Sequence, residues 1–263
     1  MPLRHKARKR FGQNFLHDQQ VIDRIVNSIA PKSTDLLVEI GPGQAALTRP
    51  LLDSGAELHL IELDRDLVVH LEKEFSGHPN ITIHSCDALK ANLPELTGHR
   101  PFRLIGNLPY NISTPLIFRV LQWNELIIDM HFMLQKEVVN RMAAAPGSRT
   151  YGRLSVMTQY RADVTPLFDV LPESFSPVPK VCSSIVRLTP LKKPPVDAGS
   201  AENLKKIVTA AFSMRRKTLR NSLRNVLSED QIIAAGIEPG QRAEQLSLSQ
   251  FAALARSLQY DTK

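Results

Sequence analysis

Cysteine is nearly missing from this 263-residue chain: Cys86 and Cys182 are its only two, and neither belongs to a CxxC pair. That excludes a disulfide scaffold and a cysteine-rich zinc module. No stretch approaches the ~18 consecutive apolar residues of a membrane-spanning helix. The basic N-terminus runs into Phe11-Gly-Gln-Asn-Phe-Leu-His-Asp18, where a secretory leader would carry an apolar run, so a cytoplasmic location is expected. The eight histidines are scattered without HxxxH-type spacing, and no metal site is expected. Internal repeats and low-complexity tracts are also missing. What remains is a globular balance, 43% hydrophobic and 22% charged, which excludes wholesale disorder. At this length one large domain, or one large and one small, is expected.

The net charge of +7 is unevenly spread. Residues 1–10 hold five Lys or Arg and no acid, and residues 191–263 hold 12 basic against 7 acidic residues. The segment between them is slightly acidic, with 16 basic against 19 acidic residues. Basic ends around an acidic middle suggest a polyanionic partner that meets the ends.

Along the middle, β-rich runs alternate with helical patterns. Strands are expected at 36–40, 58–62, 81–84, 103–105 and 127–134. Helices are expected between Gly43 and Gly55, from about Arg65 to Phe75, and after the last two strands. Interleaving of this kind implies crossovers and a largely parallel sheet covered by helices on both faces. Two further strands near 164–170 and 184–188 lack a full helix between them, which suggests an antiparallel edge. Leu191-Lys-Lys-Pro-Pro-Val-Asp-Ala-Gly199 reads as a linker, and everything beyond it reads as helical. The expected division is a domain over 1–193 followed by a small all-α domain over 194–263.

After the first strand comes Glu39-Ile-Gly-Pro-Gly-Gln-Ala-Ala46. Glycines there let the backbone turn tightly and approach a ligand that a Cβ would exclude. Glu62 ends the second strand, 21 residues after Gly41, where a carboxylate can accept from ribose hydroxyls. These features alone fit a nicotinamide enzyme and an S-adenosylmethionine (SAM) methyltransferase equally well.

The next two strands favour the second. Asp87, after the third, offers a carboxylate to an adenine amino group. The fourth runs into Gly106-Asn-Leu-Pro-Tyr110. An Asn amide oxygen beside a backbone carbonyl supplies two acceptors for the two protons of an exocyclic amine, and the tyrosine supplies a face for its base. Accepting both N–H bonds favours a pyramidal nitrogen whose lone pair can point at a sulfonium methyl.

Taken in order, Gln13-Asn-Phe-Leu16, Glu39-Ile-Gly-Pro-Gly43, Ile61-Glu-Leu-Asp64, Asp87-Ala-Leu89, Gly106-Asn-Leu-Pro-Tyr110 and Phe175-Ser-Pro-Val-Pro-Lys-Val181 resemble the bacterial KsgA (RsmA) family of small-subunit rRNA adenine dimethyltransferases. The stretch from Phe212 to Leu223 is similar to that family's C-terminal domain, so the resemblance spans nearly the whole chain. It implies a class I SAM-dependent methyltransferase fold, Rossmann-like, with a mostly parallel seven-stranded sheet and a small all-α C-terminal domain. It implies transfer of two methyl groups from SAM to N6 of each of two adjacent adenosines near the 3′ end of 16S rRNA. The partner implied is the small ribosomal subunit or its precursor, with no membrane and the enzyme a monomer. Asn14 and Leu16 would contact SAM, Gly41 and Gly43 would form the turn at its methionine end, Glu62 would take the ribose and Asp87 the adenine. Asn107 would touch both SAM and the target amine, with the Leu108 carbonyl as second acceptor. Tyr110 and Phe175 would stack on the two faces of the flipped base.

Two alternatives stand beside this: an adenine-N6 DNA methyltransferase, and a non-catalytic ribosome assembly factor that keeps the fold. The absence of a large extra domain for reading DNA counts against the first, and the intact Asn107-Leu-Pro-Tyr110 against the second. Arg216, Arg220 and Arg224 fall at i, i+4 and i+8, so a continuous helix would gather them, with Lys217 nearby, into a stripe for RNA phosphates.

Overall fold

The computed structural model of the protein describes residues 13–214 and 216–258. The basic segment 1–10 and Arg215, both part of the polyanion reading, lie outside the described residues. Among the described residues there are nine strands: β1 (Phe15–Leu16), β2 (Leu36–Ile40), β3 (Glu57–Glu62), β4 (Ile81–Ser85), β5 (Phe102–Asn107), β6 (Ile127–Gln135), β7 (Ala162–Val170), β8 (Phe175–Ser176) and β9 (Ser183–Pro190). Seven form one sheet in the order β4-β3-β2-β5-β6-β9-β7, and β1 pairs with β8 in a separate antiparallel ribbon. Pairings from β4 through β6 are parallel, and β9 runs antiparallel to β6. This is the class I methyltransferase arrangement, with the antiparallel edge at the place expected.

All seven sheet strands coincide with runs legible in the sequence. In β2 all five residues, Leu-Leu-Val-Glu-Ile, are buried, as a strand covered on both faces requires. The helix Arg65–Glu74 starts at Asp64, whose carboxylate accepts from the Asp66 N–H, and it buries Leu67, Val68 and Leu71 at helical spacing. The helix expected between Gly43 and Gly55 is reduced to Thr48–Leu52. Gly43 at φ +57° and Ala45 at φ +62° hold the preceding backbone in left-handed turns that a helix cannot contain.

The helix before the sheet is not among those expected from the sequence. Gln19–Ile29 is capped by Asp18, which accepts from the N–H groups of Gln20 and Val21, and it buries Ile22, Ile25 and Ile29. The cap and that spacing were the available signal. Its last turn is tied to the sheet through Arg103 on β5. That guanidinium donates to the Ile29 carbonyl at 2.6 Å and is flanked at 2.9 Å by Asp35 and Asp129.

By contacts the chain separates into two units: residues up to Val139 with Thr165–Pro190, and Asn140–Val164 with residues from Leu191 on. The first is built on the sheet. The second has its own core, in which Tyr151, Val156 and Tyr160 join Leu204, Leu219 and Phe251. It therefore draws on residues 140–164 as well as on those after the linker.

The continuous basic helix expected in the second unit is not formed, and that expectation is corrected. One helix ends at Ala211 and the next covers only Leu219–Ser222. Phe212 turns its ring inward, with centroids 6.2 Å from Tyr151 and 5.6 Å from Phe251. The chain re-enters at Leu219, whose N–H donates to Gln241 O, beside a Thr218–Arg242 bridge. Satisfying the core at both ends, with Phe212 and with Leu219 and Leu223, needs a turn rather than a helix between them. Arg216 and Lys217 lie exposed in that turn, Arg220 on the short helix and Arg224 beyond it.

Candidate active site

In an open α/β sheet ligands bind beyond the carboxyl ends of the strands, where the strand order reverses. Here that point lies between β2 and β5: the chain proceeds outward through β3 and β4 on one side and through β5 and β6 on the other. A cavity of about 340 Å³ opens there, of the size that holds a small-molecule cofactor. The ends of β2, β3 and β5 and the residues just after β4 line it.

The turn after β2 is shaped by two bonds. Gly41 donates its N–H to Ile61 O at 2.9 Å, and Gly43, with positive φ, donates to Glu62 Oε2 at 3.3 Å. A Cβ on Gly43 would lie 3.2 Å from the Phe15 ring, which covers the turn. Gly106, at the end of β5, allows an even closer approach. A Cβ there would meet Ile40 O at 2.7 Å, so no other residue lets β2 and β5 run together at this point.

Glu62 is buried, and three backbone N–H groups hold its carboxylate: Leu63 and Asp64 on Oε1 at 2.9 Å, and Gly43 on Oε2. Burial nonetheless pushes its pKa up, against those bonds. Glu39, one strand over and fully buried, is pushed up to about 7 by burial, with the Glu62 charge adding; Thr48 Oγ donates to it at 2.7 Å. Asp87 accepts from the Leu89 N–H at 2.9 Å, which fixes its side chain at the cavity wall. Among the described lining residues there are three carboxylates and no Lys, Arg or His. Glu39 is held partly protonated, but with no cation in the described wall a cationic ligand suits it better than a pyrophosphate, which favours SAM over the dinucleotide that the glycine turn alone left open. SAM fits these residues.

The segment 13–16 closes one side of the cavity. Its contacts include these: Gln13 Nε2 donates to Asp64 Oδ2 at 3.1 Å, β1 pairs with β8 through Leu16 and Phe175, and Asn14 O accepts from Asn107 Nδ2 at 3.0 Å. The Asn107 amide is thereby oriented, and no donor among the described residues takes its Oδ1. Leu108 donates its N–H to Met133 O at 3.2 Å, and no described residue donates to its carbonyl. Tyr110 is half-buried at the rim, with its hydroxyl 3.0 Å from Ser183 Oγ.

Of the residues expected at the site, Asn14, Leu16, Gly41, Gly43, Glu62, Asp87, Asn107, Leu108 and Tyr110 line one cavity. Phe175 does not. Its ring is 1% exposed and packs in the core with Leu16, Val170 and Ile185, so the expected second stacking face is turned inward in this structure. The pairing of Phe175 with Leu16 gives it a packing role behind the wall. Glu39 and Ser183 were not anticipated. A glutamate inside an otherwise apolar strand was the signal for the first; nothing in the sequence marked the second.

A family model described as ribosomal RNA adenine dimethylase matches residues 4–260. Ribosomal RNA small subunit methyltransferase A of Saccharophagus degradans is 54% identical over 255 residues, 97% of this chain and 95% of that protein. Two solved structures superpose on nearly the whole chain. A dimethyladenosine transferase from Plasmodium falciparum has a TM-score of 0.74 at 26% identity, covering 91% of this chain and 95% of that one. The 23S rRNA methyltransferase ErmE has a TM-score of 0.73 at 27% identity, covering 94% and 100%. With a cavity built for a cationic cofactor and paired acceptors at its rim, this chain belongs to the ribosomal RNA adenine dimethylase family.

Proposed function

We propose that the chain transfers methyl groups from SAM to N6 of two adjacent adenosines near the 3′ end of 16S rRNA, two methyls to each. We read it as a cytoplasmic monomer acting on the small ribosomal subunit or its precursor. The observation that carries this reading is the Asn107 amide, held by Asn14 so that its oxygen stays available beside the unoccupied Leu108 carbonyl.

SAM supplies an activated methyl on a sulfonium leaving group. The protein's work is therefore positioning and electrostatics. Glu62 takes the ribose, Asp87 the adenine amine, and the Gly41–Gly43 turn the methionine end, with Leu16 and Asn14 closing the site. At the rim, Asn107 Oδ1 and the Leu108 carbonyl accept from the target amine and steady the positive charge that grows on its nitrogen. Tyr110 offers a face to the extruded base. No dedicated general base is required, because the proton leaves after the nitrogen has become cationic.

In this reading the exposed Arg216, Lys217, Arg220 and Arg224 grip RNA phosphates while the methyl-transfer site reads one base. The test offers labelled SAM with either unmethylated small subunits or adenine-containing duplex DNA. The expected product is N6,N6-dimethyladenosine in the small-subunit RNA. Label in the DNA would favour the DNA methyltransferase alternative, and label in neither a purely assembly-linked role.

A further inference from the structure

Ser183 opens β9, opposite Gln135 of β6, and is 1% exposed. A serine hydroxyl at such a position costs stability unless it is hydrogen-bonded, and its partner here is the Tyr110 hydroxyl, 73 residues away, at 3.0 Å. The adjacent Ser184 is committed elsewhere, donating to Phe168 O at 3.2 Å. The next inward residues of the strand, Ile185 and Val186, are apolar and buried.

Tyr110 needs such a partner. It sits in the turn after β5, outside any strand or helix. Its backbone is fixed from one side, because Ser113 Oγ donates to the Tyr110 carbonyl at 3.2 Å. That bond holds the backbone, and the freedom left is that of the side-chain torsions, which the ring's own contacts must set. The hydroxyl bond to a buried, strand-anchored serine removes this freedom and gives the ring one tilt beside the Asn107 amide.

We propose that Ser183 is a positioning residue for methyl transfer, acting through Tyr110 by fixing the plane on which the target base rests. This deepens the reading in which Tyr110 stacks on the base, and it rests on that reading. A base presented at the wrong tilt moves its amine off the line to the methyl, which lowers kcat more than it weakens substrate binding. A solely structural serine would lower thermal stability without coupling to the tyrosine hydroxyl.

The experiment measures kcat and KM on unmethylated small subunits, and SAM affinity, for the full-length enzyme and four variants. These are Ser183→Ala, Tyr110→Phe, the double variant and Tyr110→Ala. Each of the first two should lose about three- to tenfold in kcat, the worth of one neutral hydrogen bond, with SAM affinity kept as the sign of an intact fold. The double variant should be no worse than the weaker single, since both changes remove the same bond. Wild-type kcat for Ser183→Ala, or losses that multiply in the double variant, would overturn the proposal while Tyr110→Ala stays inactive. Full activity of Tyr110→Ala would instead overturn the stacking reading, and this proposal with it.

Discussion

Asn107 Nδ2 donates to the backbone carbonyl of Asn14 at 3.0 Å, joining the end of β5 to a segment 93 residues earlier. A carbonyl can only accept, so this contact decides which end of the amide is left for the substrate. The oxygen is left, as an amine-holding site requires. The first consequence is testable at once. Asn107→Ala should lower kcat by about a hundredfold or more, as loss of an acceptor aimed at developing charge does, with RNA affinity within about twofold. Asn107→Asp should be as inactive, because a carboxylate cannot donate to Asn14 O. Single-turnover kinetics and RNA binding separate the two effects; equal losses in both would place Asn107 in substrate binding alone.

Glu62 faces the cavity with a carboxylate that the backbone already holds by three N–H groups. Glu62→Ala should weaken SAM binding by ~1.5–3 kcal/mol, the range for hydrogen bonds to a charged group. Titration calorimetry measures it, and unchanged affinity would remove Glu62 from the cofactor site. The same change strands three backbone donors, so the melting temperature should fall as well.

Glu39 gives the stability a pH dependence. Its carboxyl is held up to about 7, above the ordinary 4.5, so between those values the folded chain keeps a proton that the unfolded chain has released. Stability therefore falls as pH rises through that window and levels off above it. Glu62, raised in the same direction, adds to the slope. Glu39→Gln should match wild type near the acid end of the window and melt higher above about pH 7. Thermal unfolding across the window reads this directly, and parallel curves for the two proteins would contradict it.

Arg220 pairs with Glu229 at 2.5 Å, so one charge of the basic turn is partly spent within the protein. Glu229→Gln should release it. Binding to small subunits should tighten at low salt and its salt dependence should steepen, by up to about one unit of slope for each additional phosphate neutralised. Arg216→Ala with Arg224→Ala should flatten that dependence and leave SAM affinity unchanged. Binding lines that coincide for all variants across a salt series would mean that this turn meets only water.

Local rules sufficed for the sheet and for most of the cavity. Apolar runs such as 36–40 announce strands because a strand covered on both faces must be apolar throughout, and residues at strand ends in a parallel sheet converge at one crevice whatever their distance in sequence. That is why the sequence alone places Gly41, Glu62, Asp87 and Asn107 together. What tertiary structure alone decided were contacts with no local signature. Residues 140–164 joined the second core, because Tyr151, Val156 and Tyr160 bury their side chains there. The basic stripe broke into turns because Phe212 and Leu219 both had to reach that core. Phe175 turned inward because its pairing with Leu16 seats it in the first core. The partners of Asn107 and Tyr110, at Asn14 and Ser183, follow from which distant segments meet at the rim of the cavity, and no spacing in the chain encodes that meeting.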